Sequence, residues 1–134
     1  MYKKFKKKDN KHKSHQIEEN MPRKKKQFGQ HFLRKQSVVD HMIDKVKITP
    51  ETNILEIGCG DGFLSQSILE QTKCKELWSF EIDPEWAEFV RNKIQDPRLK
   101  VKQENILDAD FEALKIHKPW VILANLPYQI TFPI

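Results

Sequence analysis

A chain of 134 residues and 16.0 kDa has room for one domain, not two, and its core must be modest. The formal charge of +5 is unevenly spread: residues 1–26 hold 11 Lys/Arg against 3 Asp/Glu, while residues 27–134 hold 13 against 16. No run of about 18 apolar residues exists to span a bilayer, and no apolar stretch follows the N-terminal lysines to make a secretory signal.

The first 26 residues, MYKKFKKKDNKHKSHQIEENMPRKKK, carry too little apolar surface to fold alone. They are expected to form a basic, disordered tail of the kind that lies along phosphate backbones and releases counterions. The alternative is a solvated tail that only keeps the chain soluble. Residues 27–134 are expected to form the structured unit. Cys59 and Cys74 match no metal-ligand spacing, so no metal is expected. Two reduced thiols suit a cytoplasmic protein.

After the tail comes FGQHFL, at 28–33. Ser37 can cap a helix running to Lys47, with Val38, Val39, Met42, Ile43 and Val46 at helical spacing, and Pro50 closes that unit. NILEI, at 53–57, is a short apolar run that stops at a glycine cluster and predicts a buried strand. FLSQSILEQ, at 63–71, predicts a helix with Phe63, Leu64, Ile68 and Leu69 on one face. ELWSFE, at 76–81, predicts a second strand. Pro84 then opens a helix at the position where its missing N–H costs nothing, with Trp86, Phe89, Val90 and Ile94 inward. LKVKQ, at 99–103, suits a third strand with one wetter face. DFEAL, at 110–114, suits a short helical turn. WVILA, at 120–124, is the most apolar run and suits a central strand. The alternation β-α-β-α-β-α-β predicts a parallel sheet with right-handed crossovers, a doubly wound α/β fold that stops where another helix should start. Without a further neighbour, the fourth strand would expose an apolar edge, and a chain of this length is expected to fold poorly.

Between the first strand and its helix stands E-I-G-C-G-D-G, at 56–62. Gly58, Gly60 and Gly62 permit a tight turn and close approach of a ligand to the backbone. A dinucleotide loop would need a small residue at position 63, where Phe63 stands, so a nicotinamide oxidoreductase is disfavoured. A ligand without a diphosphate needs only close backbone packing. Glu56 is expected to turn a carboxylate toward the cavity, which suits a cationic, amino-acid-like group. Glu81, about 20 residues past the loop, can accept both hydroxyls of an adenosine ribose. Asp83 competes for that role but is better placed to cap the helix at Pro84.

The fourth strand runs directly into Asn125-Leu126-Pro127-Tyr128, and ligands of open α/β sheets bind beyond the carboxyl ends of the strands. The exocyclic amine of adenine is a weak nucleophile because its lone pair is delocalised into the ring. Two acceptors on its hydrogens localise that pair. The Asn125 side-chain oxygen and the Leu126 carbonyl can serve, Pro127 can fix the turn, and Tyr128 can stack on a flipped base, worth about 1–3 kcal/mol. Displacement at a sulfonium methyl then needs position and electrostatics more than a strong base.

FGQHFL, EIGCGDG, FEID at 80–83 and NLPYQITFPI at 125–134 occur in this order, and over roughly residues 25–134 the chain resembles the ribosomal RNA adenine dimethyltransferases. KsgA-type enzymes are the nearest kin in that resemblance and Erm-type methylases are relatives. The resemblance implies the first part of a Rossmann-like methyltransferase fold that uses S-adenosyl-L-methionine, with residues 27–134 an incomplete catalytic domain truncated after the fourth strand. It implies that Gln30, His31 and Leu33 flank the methionine end of the cofactor. Gly58 and Gly60 would pass beneath it, Glu81 and Ile82 would hold the adenosine, and Asn125, Leu126 and Tyr128 would bind the target adenine. The implied product is dimethyladenine near the end of small-subunit ribosomal RNA, made by a monomer on the assembling subunit.

The chain departs from the family pattern in three places. Asn105 stands where the family usually has an Asp facing the cofactor's adenine, with Asp108 a nearby alternative. Gln129-Ile130-Thr131 stands where Asn-Ile-Ser is usual. The family also continues for well over a hundred residues with a helical RNA-binding part. An Erm-type enzyme acting on large-subunit RNA stays open, although Leu126 leans away from it. So do a non-catalytic RNA-binding assembly factor and a small-molecule methyltransferase.

Overall fold

The computed structural model describes residues 21–23 and 34–124. Along the chain run α1 (Gln36–Asp44), β1 (Asn53–Ile57), α2 (Phe63–Gln71), β2 (Glu76–Phe80), α3 (Pro84–Lys93), β3 (Leu99–Lys102), a 3-10 turn (Ile106–Asp108) and β4 (Trp120–Ala124). The four strands are parallel and ordered β3-β2-β1-β4. The order reverses direction at β1, which defines the switch point of a doubly wound sheet and puts a ligand crevice above the carboxyl ends of β1 and β4.

Strand periodicity divides the core between the two faces. Ile54, Leu77 and Leu123 turn toward the helices and pack with Val39, Ile43, Leu64, Ile68, Trp86 and Val90. Leu55, Trp78 and Phe80 turn the other way and meet Ile116, with Ile106, Phe111 and Leu114 alongside. Three helices thus cover one face, while the irregular segment 106–116 covers the other. A nine-residue helix such as α1 is marginal alone. Burial of Val39 and Ile43, at about 1.5–3 kcal/mol each, holds it in place.

Most predicted elements stand where expected, and four features differ. Ser37 does not cap α1: its first hydrogen bonds, from Val38 and Val39, go to the Lys35 carbonyl, so Lys35 is the N-cap and makes no side-chain cap bond. The helix also ends at Asp44, not Lys47. The short helical turn expected at 110–114 forms, the Leu114 amide donating to the Asp110 carbonyl, but a 3-10 turn at Ile106–Asp108 that was not expected precedes it. Finally, β4 is not central among the described residues. Its one neighbour there is β1, and Trp120 and Ile122 are 37% and 44% exposed. Its apolar composition matches a strand whose second face is only partly roofed, here by Phe111 packed edge-on to Trp120 at 5.0 Å.

Asp83 does cap α3, its carboxylate accepting from the Glu85 amide at 3.0 Å, with Pro84 next in the first turn. The carboxyl end of α2 is closed from a distance. The Arg98 guanidinium donates to the carbonyls of Leu69 (2.5 Å) and Thr72 (2.9 Å), supplying donors for carbonyls that the helix leaves open. Asp96 holds Arg98 in that pose.

Candidate functional site

The glycine loop leaves β1 by extending its ladder one step, the Gly58 amide donating to the Phe80 carbonyl at 2.8 Å. Gly58, Gly60 and Gly62 all have positive φ, at 76°, 51° and 88°. The chain can therefore turn sharply and present bare backbone above the sheet. At Gly62 a second reason applies. A Cβ there would meet Ile94 Cδ1 at 3.2 Å and Val90 Cγ2 at 3.4 Å, so the missing side chain lets α2 start against α3.

Glu81 sits at the carboxyl end of β2, 6% exposed, and binds the loop directly. Its Oε1 accepts from the Gly60 amide at 3.1 Å, and its Oε2 accepts from the Asp83 amide at 3.0 Å. The Cys59 thiol also donates to Oε1, at 3.7 Å. Burial and the neighbouring Glu81 and Glu56 charges push the Cys59 thiol well above its ordinary value, so it stays protonated. A carboxylate offers about four lone-pair sites. The Gly60 amide and the Cys59 thiol occupy Oε1, while Oε2, with the Asp83 amide alone, keeps a free acceptor site for a ribose hydroxyl.

Beside Glu81, Ile82 is 47% exposed, an aliphatic side chain next to a polar loop. Leu107, just beyond β3, is 66% exposed. The sequence reading passed over Leu107, although a bare leucine two residues after Asn105 was the available signal. Asn105 is the N-cap of the 3-10 turn, its side-chain oxygen accepting from the Leu107 amide at 3.0 Å. Its amide nitrogen is thereby turned away from the cap, and the oxygen keeps one acceptor site.

Glu56 requires a correction. It was expected to aim its carboxylate into the cavity, but strand alternation turns it toward α2, beneath the loop, with no exposure. Its Oε1 accepts from Ser65 (2.5 Å) and Ser79 (2.8 Å), and its Oε2 has no hydrogen-bond partner. Burial lifts this carboxyl from 4.5 to about 7; the two hydroxyls oppose the rise and the Glu81 charge adds to it. Ser65 and Ser79 were not singled out from sequence, because their relevance depends on a neighbour 9 and 23 positions away.

Asp61, also overlooked, is a buried junction at the loop's outer turn. Its carboxylate accepts from the Phe63 amide at 3.2 Å and pairs with Arg34, whose guanidinium lies over the Phe63 ring. Lys93 donates to the Asp61 carbonyl at 3.0 Å. Burial holds the Lys93 ammonium below its ordinary value, with Asp61 opposing that shift. Gln30, His31 and Leu33 lie outside the described residues, as do Asn125, Leu126, Pro127 and Tyr128; β4 ends immediately before the last four. No helix among the described residues is long and apolar enough to cross a membrane.

Comparison with known proteins shows the family. The family model described as "Ribosomal RNA adenine dimethylase" matches residues 21–134. The "Ribosomal RNA small subunit methyltransferase A" of Leptothrix cholodnii is 37% identical over 112 residues, which is 82% of this chain and 40% of that protein. The chain thus spans about two fifths of the length of the curated relatives it matches. Among solved structures, a dimethyladenosine transferase from Plasmodium falciparum superposes with a TM-score of 0.61 at 28% identity, over 75% of this chain and 35% of that one. The 23S rRNA methyltransferase ErmE gives 0.61 at 25% identity, over 73% and 38%. The sheet and its glycine loop are those of a Rossmann-like methyltransferase.

Proposed function

The chain belongs to the ribosomal RNA adenine dimethylase family, and from that premise we propose that it is the cofactor-binding part of an enzyme that dimethylates the exocyclic amine of adenine in small-subunit ribosomal RNA during ribosome assembly in the cytoplasm. The names of the curated relatives favour the small subunit over the large-subunit alternative. Residues 27–134 form the catalytic unit in this reading, and residues 1–26, with their excess of eight positive charges, lie along the RNA.

S-adenosyl-L-methionine, when bound, supplies a methyl group on a sulfonium centre. The residues present fit it. Glu81, already anchored by two amides and the Cys59 thiol, has an acceptor site left on Oε2 for a ribose hydroxyl. Ile82 and Leu107 offer exposed apolar surface for a purine beyond the carboxyl ends of β2 and β3. Asn105 would meet the cofactor's adenine edge. Gly58 and Gly60 would pass beneath the methionine part, and Gln30, His31 and Leu33 would flank it. Glu56 places acidic character below the loop without reaching its surface. Asn125 and the Leu126 carbonyl would accept the amine hydrogens of the target base, Pro127 would hold that turn, and Tyr128 would stack on the base.

The observation that carries this reading is the buried Glu81 carboxylate bridging the glycine loop and the start of α3. Calorimetric titration of S-adenosyl-L-methionine into the chain tests it, with Glu81→Ala alongside. Binding by the parent and a loss of at least about tenfold in the variant are expected, since a lost charge-assisted hydrogen bond is worth about 1.5–3 kcal/mol. A cooperatively folded parent that takes up no ligand would overturn the reading.

A further inference from the structure

Away from the glycine loop, a cavity of about 570 Å³ opens along the outer edge of β3, which has no further strand beside it among the described residues, between that strand and the carboxyl-terminal half of α3. Its walls carry Arg91, Gln95, Asp96, Lys100, Lys102 and Trp78. Strand register explains the grouping. Lys100 pairs with Trp78 and Lys102 with Phe80, so both lysines stand on the thinly covered face of the sheet, above the aromatic residues of β2. Lys102 lies 5.8 Å from the centre of the Trp78 ring. From the other side Arg91 reaches the strand edge and donates to the Val101 carbonyl at 3.0 Å.

The charge of the segment that supplies most of this groove runs against that of the body. Residues 91–102 hold five Lys/Arg and one Asp, whereas the rest of residues 27–134 holds eight Lys/Arg and fifteen Asp/Glu. The one acid, Asp96, is neutralised by its ion pair with Arg98. Among the described residues, Arg91, Lys100 and Lys102 have no carboxylate partner. The Trp78 indole nitrogen is buried and has no acceptor, although the residue is 7% exposed and lines the groove. Three cations along a strand edge fit a row of anionic oxygens.

We propose that this groove binds the phosphodiester backbone of the RNA strand flanking the target adenine. The inference rests on the reading of the chain as an RNA methyltransferase and adds a surface to it. The carboxyl end of β3 adjoins the cofactor site, since the Glu81 amide donates to the Lys102 carbonyl. With three interstrand steps between β3 and β4, the groove lies about 14 Å across the sheet from the strand that leads to Asn125. It therefore holds neighbouring nucleotides rather than the base that reacts. Contacts of this kind position the RNA without reading its sequence.

The test is fluorescence anisotropy of a short adenine-containing single-stranded RNA with the full chain, over about 50–200 mM salt. The variants are the triple Arg91→Gln, Lys100→Gln, Lys102→Gln and a distant triple, Lys45→Gln, Lys47→Gln, Lys118→Gln. The groove triple should weaken binding and shallow the log–log salt slope by about 2, or about 0.7 per cation, widening to about a 16-fold difference in salt sensitivity over that range. The distant triple should leave the slope within about 0.5 of the parent. Equal losses in the two triples would mean a diffuse effect of net charge and overturn the proposal, as would a parent that binds no RNA. Circular dichroism melts and S-adenosyl-L-methionine titration on each variant separate the two ideas. A parent that binds RNA through the groove but takes up no cofactor refutes the functional reading alone. A cofactor-binding parent whose groove triple matches it on RNA refutes the groove alone.

Discussion

Glu56 makes the fold's stability depend on pH in a direction opposite to that of most carboxylates. In the folded chain it keeps its proton to about pH 7, while its ordinary value is 4.5. Between those values the folded state binds more protons than the unfolded one, so stability is greatest below the lower value and falls as pH rises through the upper one. A difference of about 2.5 units at 1.36 kcal/mol each amounts to about 3 kcal/mol lost by alkaline pH. Glu56→Gln removes the titration. Its carbonyl oxygen can still accept from Ser65 and Ser79, but its amide nitrogen replaces the unpartnered Oε2 and buries N–H donors without acceptors, at a constant cost of about 1–3 kcal/mol. Urea unfolding of parent and variant from about pH 5 to about pH 8 reads the difference. The variant should be the less stable at the acid end and should gain on the parent by about 2–3 kcal/mol across the range. A difference that stays flat would refute the assignment of a raised carboxyl beneath the loop.

Gly62→Ala should lower stability by about 1–3 kcal/mol, because it combines a positive φ with contacts at 3.2 and 3.4 Å to Ile94 and Val90; an unchanged melting temperature would count against it. Arg98→Ala strips donors from the Leu69 and Thr72 carbonyls and should cost about 1–2 kcal/mol, most of it still present at high salt because the acceptors are uncharged; a loss that disappears with salt would point to the Asp96 pair instead. Asn105→Asp keeps an acceptor for the Leu107 amide and adds a charge at the proposed adenine edge, so S-adenosyl-L-methionine should bind about 3–10-fold tighter by calorimetry, and equal affinity would remove residue 105 from the site.

What was legible in the sequence was whatever a local pattern decides. β1 and α2 begin and end where their apolar periodicity does, and Asp83-Pro84 declares the start of α3 within two residues. The misread features depend on partners far along the chain. α1 begins on the Lys35 carbonyl rather than on a serine because its packing through Val39 and Ile43 sets the first turn. The unexpected 3-10 turn of the third crossover forms as the chain folds its apolar residues onto Phe80 and Trp78. For Glu56, spacing gave the strand but not the two serines that receive its carboxylate. The glycines and Glu81 were readable because a turn and an acid at a strand's end follow from residue type and order alone. Arg34, Asp61 and Lys93 were not, since their meeting at the loop is a tertiary fact.

The Glu81 bridge bears on how a ligand would enter. The Gly60 amide points at a carboxylate, and the same carboxylate holds the amide that opens α3. Both bonds are made within the chain itself, so little backbone freedom remains at the loop to be surrendered on binding. It follows that amide exchange at Gly60 should be slow in the free chain and change little on ligand addition, whereas exposed positions such as Leu107 should carry most of the response.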